Sequence, residues 1–295
     1  MNRLQRYKVA GHVFGIEMDA DSALWQMMGE PYGPFETTED GLLFCVRLNA
    51  AVARPETAVQ VYSNEDSVEP GFIALGVWRD ECGHYFEFTQ PGSDCVNGCL
   101  YIDNGLKDAS LSLEGDGMRR WLTFNTAVNF CFLLSTACRQ TVLTHASCVS
   151  YKGKSYMFLG KSGTGKSTHS RMWLQNIEGC TLLNDDNPVI RITDGKAYVY
   201  GTPWSGKTPC YKNLSVPLKA VVRLSQAPYN KVERLIPLKS YASLMPSCSC
   251  MRWDRKSTDR LHATVEKVIM NTGCWHLECL PDADAAHVCC SAVKC

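Results

Sequence analysis

Residues 160–167 read Gly-Lys-Ser-Gly-Thr-Gly-Lys-Ser and fill the phosphate-loop (P-loop) pattern G-x-x-x-x-G-K-[ST] at every fixed position. This stretch constrains the fold more than any other part of the chain. Its glycines let the backbone turn successive N–H groups inward around a phosphate, and a helix that begins near Lys166 adds its positive end to the cradle. Such a loop belongs between a strand and a helix. SYMFLG precedes it and the amphipathic STHSRMWLQNI follows. The expectation is an α/β nucleotide-binding core in which Gly160, Lys161, Ser162, Gly163, Thr164, Gly165, Lys166, Ser167 and Thr168 surround the phosphates of ATP. Lys166 would reach the β- and γ-phosphates, and the Ser167 hydroxyl would hold magnesium. The alternative is a glycine turn without a ligand.

Eighteen residues beyond Ser167 comes Asp185-Asp186, after the apolar Thr181-Leu182-Leu183 and at an expected strand end. Paired carboxylates beside a phosphate loop suit magnesium binding by one and proton acceptance from a substrate hydroxyl by the other. Asn184-Asp185-Asp186-Asn187-Pro188 is also ordinary turn chemistry. His145 lies on the strand expected before the loop, VLTHASCVSY, where a lone histidine is more often a hydrogen-bonded core residue than a catalyst. Lys207, in PWSGKT, stands on a second small-residue loop that would close on the γ-phosphate or an anionic acceptor, or else is a solvated surface lysine. Arg252 and Arg255 flank Trp253 and read as a surface basic cluster, the alternative being charge stabilisation of the transferring group.

The rest of the chain reads as two regions. Residues 1–120 are β-rich, with strands expected at VFGIEM, LLFCVRL, VQVYS, FIALGVW, HYFEFTQ and CLYID and turns at Pro31–Pro34, Pro91-Gly92 and Asn104-Gly105. Residues 121–295 open with a buried helix over Trp121–Gln140 and continue with the nucleotide-binding domain. That domain includes a hairpin across Asp194-Gly195, strands over Lys219–Leu224 and Val232–Ile236, and helices over Leu238–Met245, Ser257–Asn271 and Asp282–Val293.

Thirty basic and thirty acidic residues give a net charge of zero, which argues against chain-wide attraction to nucleic acid or an anionic membrane. His12 and Glu17 interrupt the apolar start, and the run Ala127–Cys138 is too short to span a bilayer. The 16 cysteines are scattered, and Cys274-x-His276-x-x-Cys279 does not match the usual zinc spacings. They read as reduced, buried thiols in a cytoplasmic protein. The partners expected are a nucleotide and an unidentified hydroxyl-bearing acceptor, which is a peptide, a protein or a small molecule, with no nucleic acid and no membrane; self-association is left open.

His145, then GKSGTGKST, then LLNDD resembles the core of HPr kinase/phosphorylase and of ATP-dependent phosphoenolpyruvate carboxykinase, which share one P-loop fold. The resemblance is strong over about residues 140–225. Pro217–Val222 and Leu280-Pro281-Asp282 look like further bacterial HPr-kinase-like proteins. It implies a carboxykinase-like P-loop core carrying a β-rich N-terminal region, and an ATP- and magnesium-dependent kinase or phosphotransferase. By resemblance, Lys166 and Ser167 take phosphate and magnesium, Asp185 and Asp186 divide metal binding and base work, and His145 lies at the transfer site. Thr168 stands where HPr kinase carries Glu, so the acceptor expected is a hydroxyl other than that of HPr. Carboxykinase-like transfer to an enolate and a nucleotide sensor without turnover are the alternatives.

Overall fold

The computed structural model describes residues 1–48, 51–65, 68, 73–90, 95–251 and 253–293, and the chain divides into two units, Met1–Ser135 and Thr136–Cys295. The Pro91-Gly92 turn, Arg252 and Cys295 lie outside the described residues. No described helix is long and apolar enough to cross a membrane.

The first unit is organised on an eight-stranded sheet. Its strands are β1 (Asn2–Val9), β2 (His12–Asp19), β3 (Phe44–Leu48), β4 (Val59–Ser63), β5 (Ala74–Arg79), β6 (Gly83–Thr89), β7 (Val96–Asp103) and β8 (Asp108–Leu113). Their spatial order is β1-β2-β3-β8-β7-β6-β5-β4, parallel only at β2–β3 and β3–β8. A parallel neighbour needs a crossover. The first crossover contains helix α1 (Leu24–Tyr32) and a 3₁₀ turn (Gly33–Phe35), where the sequence suggested only a turn at Pro31–Pro34.

The helix expected over Trp121–Gln140 is α2 (Gly117–Thr136), and all but its last residue belongs to the first unit. The boundary therefore falls after this helix, not at residue 120. Phe124, Ala127, Val128, Cys131 and Phe132 recur at helical spacing and are fully buried. Phe132 meets Phe14, Phe130 meets Phe86, and Phe124 meets Tyr32, so the apolar stripe is spent within the first unit.

The second unit is mixed α/β. Its elements are β9 (Thr141–Leu143), β10 (Ala146–Tyr151), β11 (Lys154–Leu159), α3 (Lys166–Asn176), β12 (Thr181–Asp186), β13 (Val189–Thr193), β14 (Lys196–Tyr200), β15 (Ser215–Gln226), β16 (Lys231–Arg234), α4 (Pro237–Leu244), α5 (Arg255–Asn271), β17 (Gly273–Cys279) and α6 (Ala283–Val293). The central sheet runs β12-β10-β11-β15-β17-β16, with β11, β15 and β17 parallel. The twelve-residue β15 is shared, because its Ser215–Pro217 end pairs with β14 and continues through β13 to β9.

Alternation along the strands sends side chains to two different cores. Phe158, Val222 and Leu277 pack with Trp173 of α3, with Ile177 just past its end, and with Cys289, Cys290 and Val293 of α6. Met157, Val221 and Cys274 pack on the other face with Leu244 of α4 and Leu261, Val265 and Val268 of α5. A sheet covered by helices on both faces follows from this division. The segment Cys274–Cys279 lies within strand β17: Cys274 enters the α5 core, Cys279 packs on the opposite side, and His276 Nε2 lies 2.8 Å from Ser225 Oγ. Among the described residues no group of three His, Cys, Asp or Glu side chains is gathered for a metal.

Candidate functional site

Strand β10 is antiparallel to both β11 and β12. The end of β11, the end of β12 and the beginning of β10 therefore lie at one edge of the sheet. The ends of β15 and β17, parallel to β11, reach the same edge. This topology gathers the glycine loop after Leu159, the Asp185–Asp186 pair and His145 from separate parts of the chain, at the strand carboxyl ends where open α/β sheets bind ligands.

Gly163 and Gly165 have φ of +77° and +106°, which side-chain-bearing residues rarely adopt, so the loop's curvature requires them. Helix α3 begins at Lys166 with Gly165 as its cap and no side-chain capping bond, and its first turn carries no acid. Its leading amides are left for an anion. Lys166 folds back into the loop: Nζ donates to Gly160 O at 3.0 Å and lies 3.0 Å from His145 Nε2 and 3.4 Å from Lys161 O. Only 9% of this lysine is exposed. Burial pulls its pKa below the ordinary lysine value, against the opposing pull of Asp186 and Asp185.

The Ser167 hydroxyl donates to Asp185 Oδ1 at 2.9 Å, and Asp185 is buried. Two hard oxygen donors side by side at the head of the loop fit magnesium, which takes one or two protein oxygens and completes its shell with phosphate and water. Asp186 faces His145, its Oδ1 2.9 Å from Nδ1, while Asn187 Nδ2 donates to Oδ2 at 2.8 Å. The carboxylate can only accept and the ammonium can only donate, so the geometry fits a neutral imidazole with its proton on Nδ1 and Nε2 turned to Lys166. Asp186 also has φ of +114°, a strained conformation for a residue with a side chain.

His145 is not inside one continuous strand, as VLTHASCVSY suggested. The chain breaks at Thr144–His145 between β9 and β10, opposite Asn187–Pro188 between β13 and β12. Pro188 has no N–H to continue a ladder, and its carbonyl instead accepts from both the backbone N–H and the hydroxyl of Thr144. Beyond it, His145 N–H donates to Ser247 O at 2.7 Å. The histidine is thus pinned where the chain passes from the β9–β13 ladder to the β10–β12 ladder.

The PWSGKT loop returns to the acidic pair. Ser205 bridges to Asp186, Gly206 N–H donates to Asp185 O, and a Cβ on Gly206 would sit 2.8 Å from Asp186 Cβ. Only glycine permits that approach. Lys207 follows at the exposed tip of the loop. Arg255 is exposed at the start of α5, 3.9 Å from Asp259. Sequence reasoning overlooked the support beneath the acidic pair. Buried Asn184 donates through Nδ2 to Thr202 Oγ1 (3.2 Å) and accepts from Asn187 N–H (3.0 Å), and Thr202 donates to Asn187 O (2.8 Å). The only sequence signal for it was the asparagines flanking the aspartates.

Two cavities flank the loop. One of about 610 Å³ is lined by His145, Lys161, Arg223, Ser225 and Ser247 among others. The second, about 560 Å³, lies beside Gly165, Thr168 and His169 and is closed by Leu224, Leu280 and Pro281.

No family model matches the chain, and no curated protein matches it. Among solved structures it is similar to the Hpr(Ser) kinase/phosphatase from Coxiella burnetii, at 10% identity and a TM-score of 0.30, over 52% of this chain and 93% of that one. A likeness of that size carries no argument about function, which rests on the residues above.

Proposed function

We propose that the protein is an ATP- and magnesium-dependent phosphotransferase with a carboxykinase-like P-loop core, moving the γ-phosphoryl group to a hydroxyl-bearing acceptor other than HPr. The observation that carries this reading is the chain of contacts Asp186–His145–Lys166 beside the Ser167–Asp185 pair. A phosphate loop used only for binding has no need of an oriented imidazole at its lysine.

In this reading the loop amides and Lys166 hold the β- and γ-phosphates, and Ser167 and Asp185 hold magnesium, which supplies charge neutralisation when bound. Lys166 turns from His145 to phosphate, which frees Nε2. The freed nitrogen takes the acceptor O–H proton while Asp186 holds the Nδ1 proton and steadies the imidazolium. The acceptor oxygen bonds to the γ-phosphorus as the bond from phosphorus to the β–γ bridging oxygen breaks, and the electron pair leaves on ADP. Lys207, carried on a loop that Ser205 and Gly206 fasten to the acidic pair, adds positive charge above the transferring group.

Loop order sets the direction of the nucleotide. Lys166 serves the terminal phosphates and Thr168 lies two residues further along the helix, so the nucleoside extends toward the cavity beside Thr168, Leu280 and Pro281. The His145 side is left for the acceptor. Incubation with γ-labelled ATP, magnesium and a pool of small metabolites tests the reading: a labelled product other than inorganic phosphate should form and should disappear with Asp186→Asn. Tight nucleotide binding with no transferred label would refute it and leave a nucleotide sensor.

A further inference from the structure

The cavity on the His145 side has a one-sided charge distribution. Its lining includes Lys161, Arg223 and His145 and contains no aspartate or glutamate. The other polar walls are neutral: Ser162 and Thr164 of the glycine loop, which forms one side of the cavity, Ser225 and Gln226 from β15, and Ser243 and Ser247 from and just beyond α4. Arg223 is exposed, and no hydrogen bond or ion pair ties it to a carboxylate among the described residues. Surface arginines commonly find a nearby acid. This one projects at the carboxyl end of a central parallel strand, into a cavity that also holds the histidine at the loop's lysine.

Strand alternation places Arg223 there. Val222 and Leu224 enter the core under α3 and α6, while Val221 enters the core under α4 and α5. Arg223 and Ser225 share the face of Val221 by alternation but line the cavity, together with Ser243 from the last turn of α4. A planar guanidinium with free donors matches the two oxygens of a carboxylate or phosphate. Lys161 adds a second cation, and the serines offer hydroxyls to a neutral polar group. A cavity of about 610 Å³ is the size of a small-molecule site.

We infer that this cavity binds a small alcohol carrying an anionic group, a carboxylate or a phosphate, with Arg223 as its anchoring residue and the hydroxyl directed at His145. The assignment of this ligand as the acceptor rests on the phosphotransfer reading above; the binding of the anion does not. Arg223 then favours anionic over neutral alcohols, because the anchored anion fixes the distance between the hydroxyl and the loop.

The test is calorimetric titration of the full chain, without nucleotide, with glycerate, with glycerol 3-phosphate and with glycerol. Expected is binding of at least one of the two anions and not of glycerol, a loss of about tenfold or more with Arg223→Leu, and partial recovery with Arg223→Lys. Glycerate alone would identify a carboxylate site, glycerol 3-phosphate alone a phosphate site, and either supports the proposal. Absence of binding by both anions overturns it. So does anion binding that survives Arg223→Leu but is lost in Lys166→Ala, which would place the anion in the glycine loop. A parallel titration with a non-hydrolysable ATP analogue and magnesium should give equal affinities for the wild type and Arg223→Leu. A fall in the variant would make Arg223 a nucleotide ligand and overturn the proposal. Failure of the wild type to bind the analogue would sink the phosphotransfer reading separately, with the anion titrations still deciding the site.

Discussion

Lys166→Met separates what the lysine does for the fold from what it does for a ligand. In the ligand-free protein its Nζ rests on Gly160 O and His145 Nε2, both at 3.0 Å, with only 9% of the residue exposed. Burial lowers its pKa in spite of Asp186 and Asp185, so the folded environment disfavours the charged form on balance. Methionine keeps most of the stem's packing and removes that penalty, while the acceptors it releases are near enough to solvent to be hydrated. The variant should therefore melt within about 3 °C of the wild type at neutral pH, the shift expected for about 1 kcal/mol or less in a domain of this size. Nucleotide binding should respond quite differently. A charge-assisted contact to phosphate is worth about 1.5–3 kcal/mol, or roughly ten- to hundredfold in affinity. Calorimetry with magnesium and the non-hydrolysable analogue measures this directly. A folded-state pKa below the unfolded value of 10.5 also means that the unfolded chain holds the extra proton, so wild-type stability rises relative to the variant as pH climbs from the lowered pKa towards 10.5. Equal dissociation constants would refute the reasoning about the loop, and a variant that is largely unfolded at neutral pH would refute the reasoning about the lysine's burial.

At Asp186, φ of +114° stores about 1–3 kcal/mol of backbone strain. Asp186→Gly should match or exceed wild-type stability in chemical denaturation while abolishing label transfer, and Asp186→Ala, which keeps the strain and loses the contacts, should be less stable than either. His169 accepts a hydrogen bond from Trp173 Nε1 at 3.0 Å, and burial pushes its pKa down to about 4. Because the unfolded chain takes up a proton near pH 6.5 and the folded one does not, stability should fall by up to about 3 kcal/mol as pH drops from 6.5 to 4. His169→Gln should flatten that dependence in thermal melts across the same range, and an unchanged slope would contradict the assignment.

The elements legible in the sequence were those whose signal is local. The glycine loop was legible because its backbone needs glycine at Gly163 and Gly165 and its chemistry needs lysine and serine at fixed spacing. The β13–β14 hairpin was legible from Asp194-Gly195, both of which have positive φ. Strand β1 was not, because its first residues, Asn2-Arg3-Leu4-Gln5-Arg6, lie at a sheet edge and carry little apolar alternation. Strand β17 was not legible either: Cys274, His276 and Cys279 were weighed only against zinc spacings, which they do not match, and only the fold shows them as alternating core and edge positions. The helix at 117–136 was legible, but not the unit to which it belongs, since its apolar stripe does not say which aromatic residues will meet it.

The position of His145 shows most clearly why local reading stops short of the site. Its own neighbours, Leu143-Thr144 and Ala146-Ser147, favour an unbroken strand. The break is imposed from the partner strand, where Pro188 cannot donate and offers its carbonyl twice to Thr144. The same interruption ends β12 at Asp186 and leaves that residue in its strained conformation, so one proline sets both members of the His145–Asp186 pair at the sheet edge. The asparagines on either side of the aspartates, which taken alone suggested a turn, are used instead to hold this interruption open: Asn184 and Thr202 satisfy the backbone of Asn187 where the ladder cannot. Backbone pairing withheld at one level of two adjacent strands is thus what frees a carboxylate and an imidazole to face the loop's lysine. The geometry depends on a contact between residues 44 positions apart, which no window of sequence around either residue contains.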